Sequence, residues 1–309
     1  MSKLGGAGSQ CAHLERDLMK WAHVCEATGA SLYFLKCDLI GSEGVAVEHV
    51  IPVLPIHEMA HAIWTTGEDQ FLISLLGTGG EEGVLQWWQE ACKNCEWARE
   101  HPAIADRSRM GHTLPLMTHA DGVEVFRNSE YEARLWGSLL ARGSVWESKF
   151  VFCILAHSLM STPVVANAVE DLLARFFAWC IDVWNTGVFP HVGFHNEPID
   201  PKSPRGLLCG KPICGGKWTA ALCAWKGDWK ARVKVHQFLR YYRGLRLCDC
   251  DDAVQCFASA DPRMTYSDFR EDAPWRATIM NNDEYIAQAR LTNTLSPWFQ
   301  VQGFRKERG

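Results

Sequence analysis

The spacing of hydrophobic positions changes along the chain, and each change marks an element. In residues 11–28, Leu14, Leu18, Trp21, Ala22 and Cys25 recur at helical intervals, with Gly29 placed to stop the helix. Residues 45–54 read as a strand, and Pro55 then precedes a helical stretch over 57–64 that continues through 72–76. A further helix is expected over 84–100, with Leu85, Trp88, Cys92, Cys95 and Trp97 on or near one face and His101-Pro102 as its end. Residues 1–105 are thus expected to be a mainly helical N-terminal region, opening with a loose tail over 1–10.

Beyond that point strands take over. Residues 113–120 form a short apolar run that Asp121-Gly122 is expected to end as a turn, with Val123, Val125 and Phe126 starting the next strand. KFVFCILA at 149–156 has the composition of a buried strand. Ser161-Thr162-Pro163 is a good helix start. From there Val165, Val169, Leu172, Leu173, Phe176, Cys180, Ile181 and Trp184 keep helical spacing up to Gly187. Residues 188–216 are rich in Gly and Pro and read as a long loop, and 217–225 is another strand, ending at Lys226-Gly227-Asp228. An aspartate therefore stands at the end of the first strand of this series and another at the end of the last.

Composition narrows the picture modestly. A chain of 309 residues with 47% hydrophobic and 22% charged residues can bury a sizeable core. A formal net charge of −5 confines nucleic-acid binding to a local basic face. The 13 cysteines are odd in number and irregularly spaced, and no apolar leader precedes them, so free thiols in an intracellular protein are expected. No apolar run is long enough for a membrane span.

Two carboxylates on rigid strand ends are the ligand type that divalent metals use in phosphodiester chemistry. Such metals lie roughly 3.5–4 Å apart, and Mg²⁺ prefers hard oxygen donors and keeps several waters. In a ribonuclease H-like sheet the first and fourth strands are neighbours, so Asp121 and Asp228 would converge. The segment THADGVEVFRNSEYEARLW (118–136) resembles the surroundings of the first catalytic aspartate in CACTA-type DNA transposases. GDWKAR (227–232), the basic and aromatic VKVHQFLRYYRG (233–244), and then Cys248 and Cys250 follow in the family's order. The resemblance spans roughly 113–256.

What it implies is a ribonuclease H-like α/β core over 106–256, with Asp121 and Asp228 as catalytic metal ligands for Mg²⁺ or Mn²⁺ and DNA as partner. It also implies a nuclear location, a homo-oligomer being a further option. Residues 257–309 would be a C-terminal extension, shorter than the family's and consistent with a truncated, transposon-derived protein that has lost activity. Two departures stand out. The family's Cys-x-x-Cys is CDCDDAVQC here, and its third acid has no counterpart in a matching motif, although Glu271, Asp272, Asp283 and Glu284 are available.

Within 226–246, Lys226, Lys230, Arg232, Lys234, Arg240 and Arg243 alternate with aromatic residues, a pattern suited to phosphates and splayed bases. The same pattern also suits an ordinary helix with its rings in the core. A second chemistry is open as well. His57-Glu58-Met59-Ala60-His61 is an H-E-x-x-H, in which two histidines one helical turn apart hold zinc and the glutamate acts as base. Glu81 or Glu82 is spaced to supply a third ligand of such a zinc protease. Cys248, Cys250 and Cys256 are crowded enough for a structural Zn²⁺, whereas Cys92 and Cys95 suit core packing. A third reading is a non-catalytic DNA-binding or interaction protein.

Overall fold

A computed structural model describes residues 30–40, 44–126, 129–142, 148–156, 168–227, 252–254 and 262–279. Six strands form one mixed sheet: β1 (Tyr33–Ile40), β2 (Ala46–Val53), β3 (Thr113–Phe126), β4 (Ser129–Ser138), β5 (Phe150–Ala156) and β6 (Thr219–Gly227), in the order β1-β2-β5-β4-β3-β6. Every pairing is antiparallel except β3 with β6, which run parallel. The helices are α1 (Ile56–Thr66), α2 (Glu68–Phe71), α3 (Gly80–Asn94), α4 (Glu96–Arg99) and α5 (Ala168–Thr186), with a π-helical turn over Leu72–Leu76.

Strand β1 follows from strict alternation: Tyr33, Leu35, Cys37 and Leu39 are buried while Phe34, Lys36 and Asp38 are exposed. It pairs with β2 from Tyr33↔Val53 to Ile40↔Ala46. The segment before residue 105 therefore contributes two strands to the sheet as well as its helices, and the buried residues of both segments form one hydrophobic cluster. The helix expected over 84–100 is two helices, because Cys95 is extended (φ −131°, ψ 124°) and ends α3. The helix expected over 11–28 lies outside the described residues.

Asp121-Gly122 is not a turn. The β3–β4 ladder passes through Asp121↔Ala133 and Gly122↔Glu132 and continues, with one irregularity, to Phe126↔Ser129. A dipeptide's turn preference is small against a ladder whose β-branched Val123 and Val125 keep the strand going. Strand β5 also departs from expectation, being buried on one face only: Phe152, Cys153 and Leu155 face the core while Val151 and Ile154 are exposed. From Ala168 to Thr186 the long helix is where its periodicity put it, its expected start at Ser161-Thr162-Pro163 lying outside the described residues, and Gly187, at φ +79°, turns the chain out of it.

Helix α5 covers the sheet face that carries Arg134 and Trp136. The rings of Trp136 and Trp184 meet edge-on, with centroids 6.3 Å apart, and Glu170 in the first described turn of α5 pairs with Arg134. Helix α1 packs beside α5, and α3 anchors to the start of β3 through Trp88, whose Nε1 donates to the Thr113 carbonyl at 2.6 Å. The other sheet face is open over much of its area: Phe34 is 56%, Val50 52% and Ile154 42% exposed. The loop over 188–216 folds back in a series of tight turns, including Gly206–Leu208 and Ile213–Gly216, and buries Phe189, Ile213 and Cys214.

Candidate functional site

The parallel β3–β6 pair sets the geometry at one end of the sheet. Its register runs from Thr113↔Thr219 through His119↔Lys226 to Ala120↔Gly227, with one bulge after Leu116. Asp121 is the next residue of β3, and Asp228 is the next residue after β6. The backbone of Asp121 lies within the strand; Asp228 itself lies outside the described residues. On the other side of β3, Asp121 pairs with Ala133, which pairs in turn with the exposed Ile154. The register row that holds position 121 is therefore on the open face.

Lys226, the last cation of β6, is exposed beside this end. Lys230, Arg232, Lys234, Arg240 and Arg243 lie outside the described residues, as do Cys248, Cys250 and Cys256 and two of the four possible third acids, Asp283 and Glu284. Glu271 and Asp272 are both exposed, in a turn following Arg270.

The face of β4 under α5 carries a buried ionic cluster that no local pattern announces. Arg134, only 3% exposed, donates from Nη2 to Glu132 on its own strand at 2.6 Å and to Glu170 of α5. Two carboxylates hold the Arg134 guanidinium firmly charged against the cost of its burial. Cys153 lies beside this cluster, and burial pushes its thiol up to about 12. The cluster ties the start of α5 to the strand next to β3, one register row from position 121, since Arg134 pairs with Ala120.

The H-E-x-x-H segment occupies the first turns of α1 and is almost wholly interior. His57 is 1% and Glu58 3% exposed. The Glu58 carboxylate accepts from Arg205 Nε, from Arg205 Nη2 at 3.2 Å, and from the Ser31 N–H at 3.3 Å. Burial pushes the Glu58 carboxyl above its ordinary value, and Arg205 and the Ser31 N–H pull against that shift. Arg205 also donates to the Ser31 carbonyl at 3.0 Å and lies 5.1 Å from the Tyr33 ring centroid. The Tyr33 hydroxyl donates to Glu197 and accepts from the Phe194 N–H at 2.9 Å.

His61 Nδ1 accepts from the Cys214 N–H at 3.1 Å, so that nitrogen carries no proton. His57 sits between the Trp179 and Phe189 rings, its Nδ1 without a hydrogen-bond partner, and burial above all lowers its pKa to about 3. The motif thus fastens the 188–216 loop to the start of β1. Glu81, spaced as a third zinc ligand, instead pairs with Lys217 and His112, each at 2.5 Å. Among the described residues no group of three or more His, Cys, Asp or Glu side chains is arranged to hold a metal ion.

Sequence reasoning did not find Arg205, Tyr33 or Glu197. Arg205 is 147 residues from Glu58, so nothing local in the sequence connects them. The eight described cysteines are all free thiols, and no described helix is long and apolar enough to cross a membrane. No protein-family model, curated protein or solved structure matches the chain.

Proposed function

We propose that this protein carries a ribonuclease H-like core for metal-dependent cleavage and transfer of DNA strands, with Asp121 and Asp228 as the acids that hold Mg²⁺ or Mn²⁺. The observation that supports this reading is the parallel register Ala120↔Gly227, the pair that Asp121 and Asp228 follow in sequence. The order β5-β4-β3-β6 supports it, because it sets the first and fourth strands of the series side by side, as in a ribonuclease H-like sheet. The donor set fits the metal: carboxylates are hard oxygen ligands, and a cation that keeps several waters needs few of them. When bound, the metal pair supplies activation of the attacking hydroxyl and stabilisation of the leaving oxygen.

The chain's own residues do the rest. Asp121 is carried within an unbroken ladder, which fixes its backbone. The buried Glu132–Arg134–Glu170 cluster holds α5 against the adjoining strand. Lys226 offers positive charge to the DNA backbone beside the acids, and the basic residues from Lys230 to Arg243 would extend that surface. Work on DNA would place the protein in the nucleus. The H-E-x-x-H segment does not compete for the chemistry, since its glutamate is committed to Arg205 and so cannot serve as a water-activating base.

The test is Mn²⁺- or Mg²⁺-dependent nicking of supercoiled plasmid. Wild-type nicking that is lost on chelation and falls by about a hundredfold or more in Asp121→Asn and in Asp228→Asn is the expected result. Salt-sensitive DNA binding without nicking would mark a binding protein that retains the fold without the activity. Neither binding nor nicking would end the reading.

A further inference from the structure

The open face at position 121 carries a second feature, a pair of lysines with no carboxylate partner among the described residues. Lys149 immediately precedes β5, and its ammonium donates to Met117 Sδ at 3.5 Å. It reaches that position by crossing Gly137, where an added Cβ would lie 3.5 Å from Lys149 Nζ and only 2.3 Å from the Ser148 carbonyl oxygen. A side chain at 137 would therefore lift this crossing off the sheet.

Gly137 and Met117 are paired across β4 and β3, and Met117 pairs with Ala224 of β6. The next row on the same face is His119↔Lys226, and the one after it begins with Asp121. Successive rows on one face are about 6.6 Å apart, two residues of strand. Lys149, Lys226 and position 121 thus form a progression along the end of the β3–β6 pair.

Neither lysine has a carboxylate partner among the described residues. Half-burial against the sheet, with the positive charge of Lys226 added, lowers the pKa of the Lys149 ammonium below the usual lysine value. Two like charges held close enough to act on each other are a cost to the free protein that an anion between them removes.

We propose that Lys149 and Lys226 clamp a backbone phosphate of the DNA strand, immediately before the Asp121/Asp228 position, on the open face of the sheet. This rests on the proposed DNA-cleaving role and assigns the residues that hold the strand in register with the acids. Lys149 precedes β5, outside the basic stretch that follows β6, so the two ends of the clamp come from separate parts of the sheet.

The experiment measures binding of the full chain to a short fluorescein-labelled DNA duplex by anisotropy across a salt series. Each lost phosphate contact lowers the slope of log affinity against log salt by about 0.9, about eightfold in affinity at 0.1 M salt. Lys149→Gln and Lys226→Gln are each expected to show that loss and the double variant about twice it. Lys149→Arg, which keeps the charge, should bind like wild type. Lys93→Gln, on α3 and 3.8 Å from Glu90, serves as the off-site control and should leave the slope unchanged.

If wild type binds DNA and Lys149→Gln keeps the full slope, the clamp is wrong and the DNA-binding role stands. Equal losses in Lys149→Gln and Lys149→Arg would also overturn the clamp, because the charge would then not be what matters. If wild type shows no salt-dependent binding, the clamp and the proposed function fall together.

Discussion

The start of α1 and the end of the β3–β6 pair teach opposite lessons about reading chemistry from a chain. At α1, five consecutive residues spell a known metal-binding pattern, yet its glutamate is committed to Arg205 and its first histidine is enclosed. Glu58 is held by Arg205, His61 accepts from Cys214, and His57 is shut between rings. At the strand end, two aspartates more than a hundred positions apart have only turn-like local context, and the parallel register pairs the residues that precede them, Ala120 and Gly227, beside exposed Lys226. A site needs polar groups with unspent valence where a substrate can reach them. The contiguous motif spends its valence inside the fold.

Removing the carboxylate at Glu58 is the sharpest way to break this comparison. Glu58→Ala leaves the partly buried Arg205 guanidinium without its carboxylate and is expected to cost about 3–5 kcal/mol, read as a fall in the urea midpoint. Asp121→Asn, at the other site, should change stability by no more than about 0.5 kcal/mol while removing nicking. The double change Glu58→Ala with Arg205→Met should recover part of the loss, since it no longer leaves one charge of the pair alone. A zinc centre at α1 predicts the reverse pattern: chelation would lower the wild-type midpoint and zinc would restore it.

How much of this was legible in the sequence depended on whether the signal was periodic or distant. Strands β5 and β6, α1 and α5 follow from period and punctuation, and Gly187 ends α5 as its left-handed conformation requires. Strand β1 also has its signal in Tyr33, Leu35, Cys37 and Leu39, a plain two-residue alternation. The continuation of β3 through Asp121-Gly122 was hidden because a dipeptide's preference says nothing of the partner strand that overrides it. The open face of β5 could not be read from KFVFCILA, whose Val151 and Ile154 are as apolar as the residues that face the core. Glu58–Arg205 and Glu132–Arg134–Glu170 had no local signature, since charged residues look the same in sequence whether solvated or interior.

Acidification tests the enclosed state of α1 more gently. His57 is neutral in the folded protein down to about pH 3, whereas in the unfolded chain it takes up a proton near its ordinary value. Between these values the unfolded state binds more protons, so stability is full above about pH 6.5 and declines as the pH falls. The His57 contribution has a slope of at most about 1.4 kcal/mol per pH unit. His61, also lowered, adds in the same direction, and Glu58, raised by burial, opposes it, so His57 is isolated by comparing His57→Leu with wild type. The variant, whose leucine suits the rings of Trp179 and Phe189, should show a shallower decline between pH 6.5 and 5 in urea titrations. Equal slopes would mean that His57 takes up its proton in the folded state too, and that the pocket is wetter than the packing of its rings implies.

The smallest change concerns how the 188–216 loop is held. Tyr33→Phe keeps the ring under Arg205 and the aromatic contact with Phe176 at 4.9 Å, and removes only the hydroxyl that bridges Glu197 and the Phe194 N–H. One or two partly buried hydrogen bonds are worth about 1–2 kcal/mol, and the loss should appear first as faster hydrogen exchange at Phe194 and at His195, whose N–H bonds Glu197 at 2.9 Å. Exchange at Cys214, held by His61 on the far side of the loop, should stay slow. If Cys214 quickened as much as Phe194, the loop would open as one unit from α1, and the Glu58–Arg205 pair could not be the fastening that holds it there.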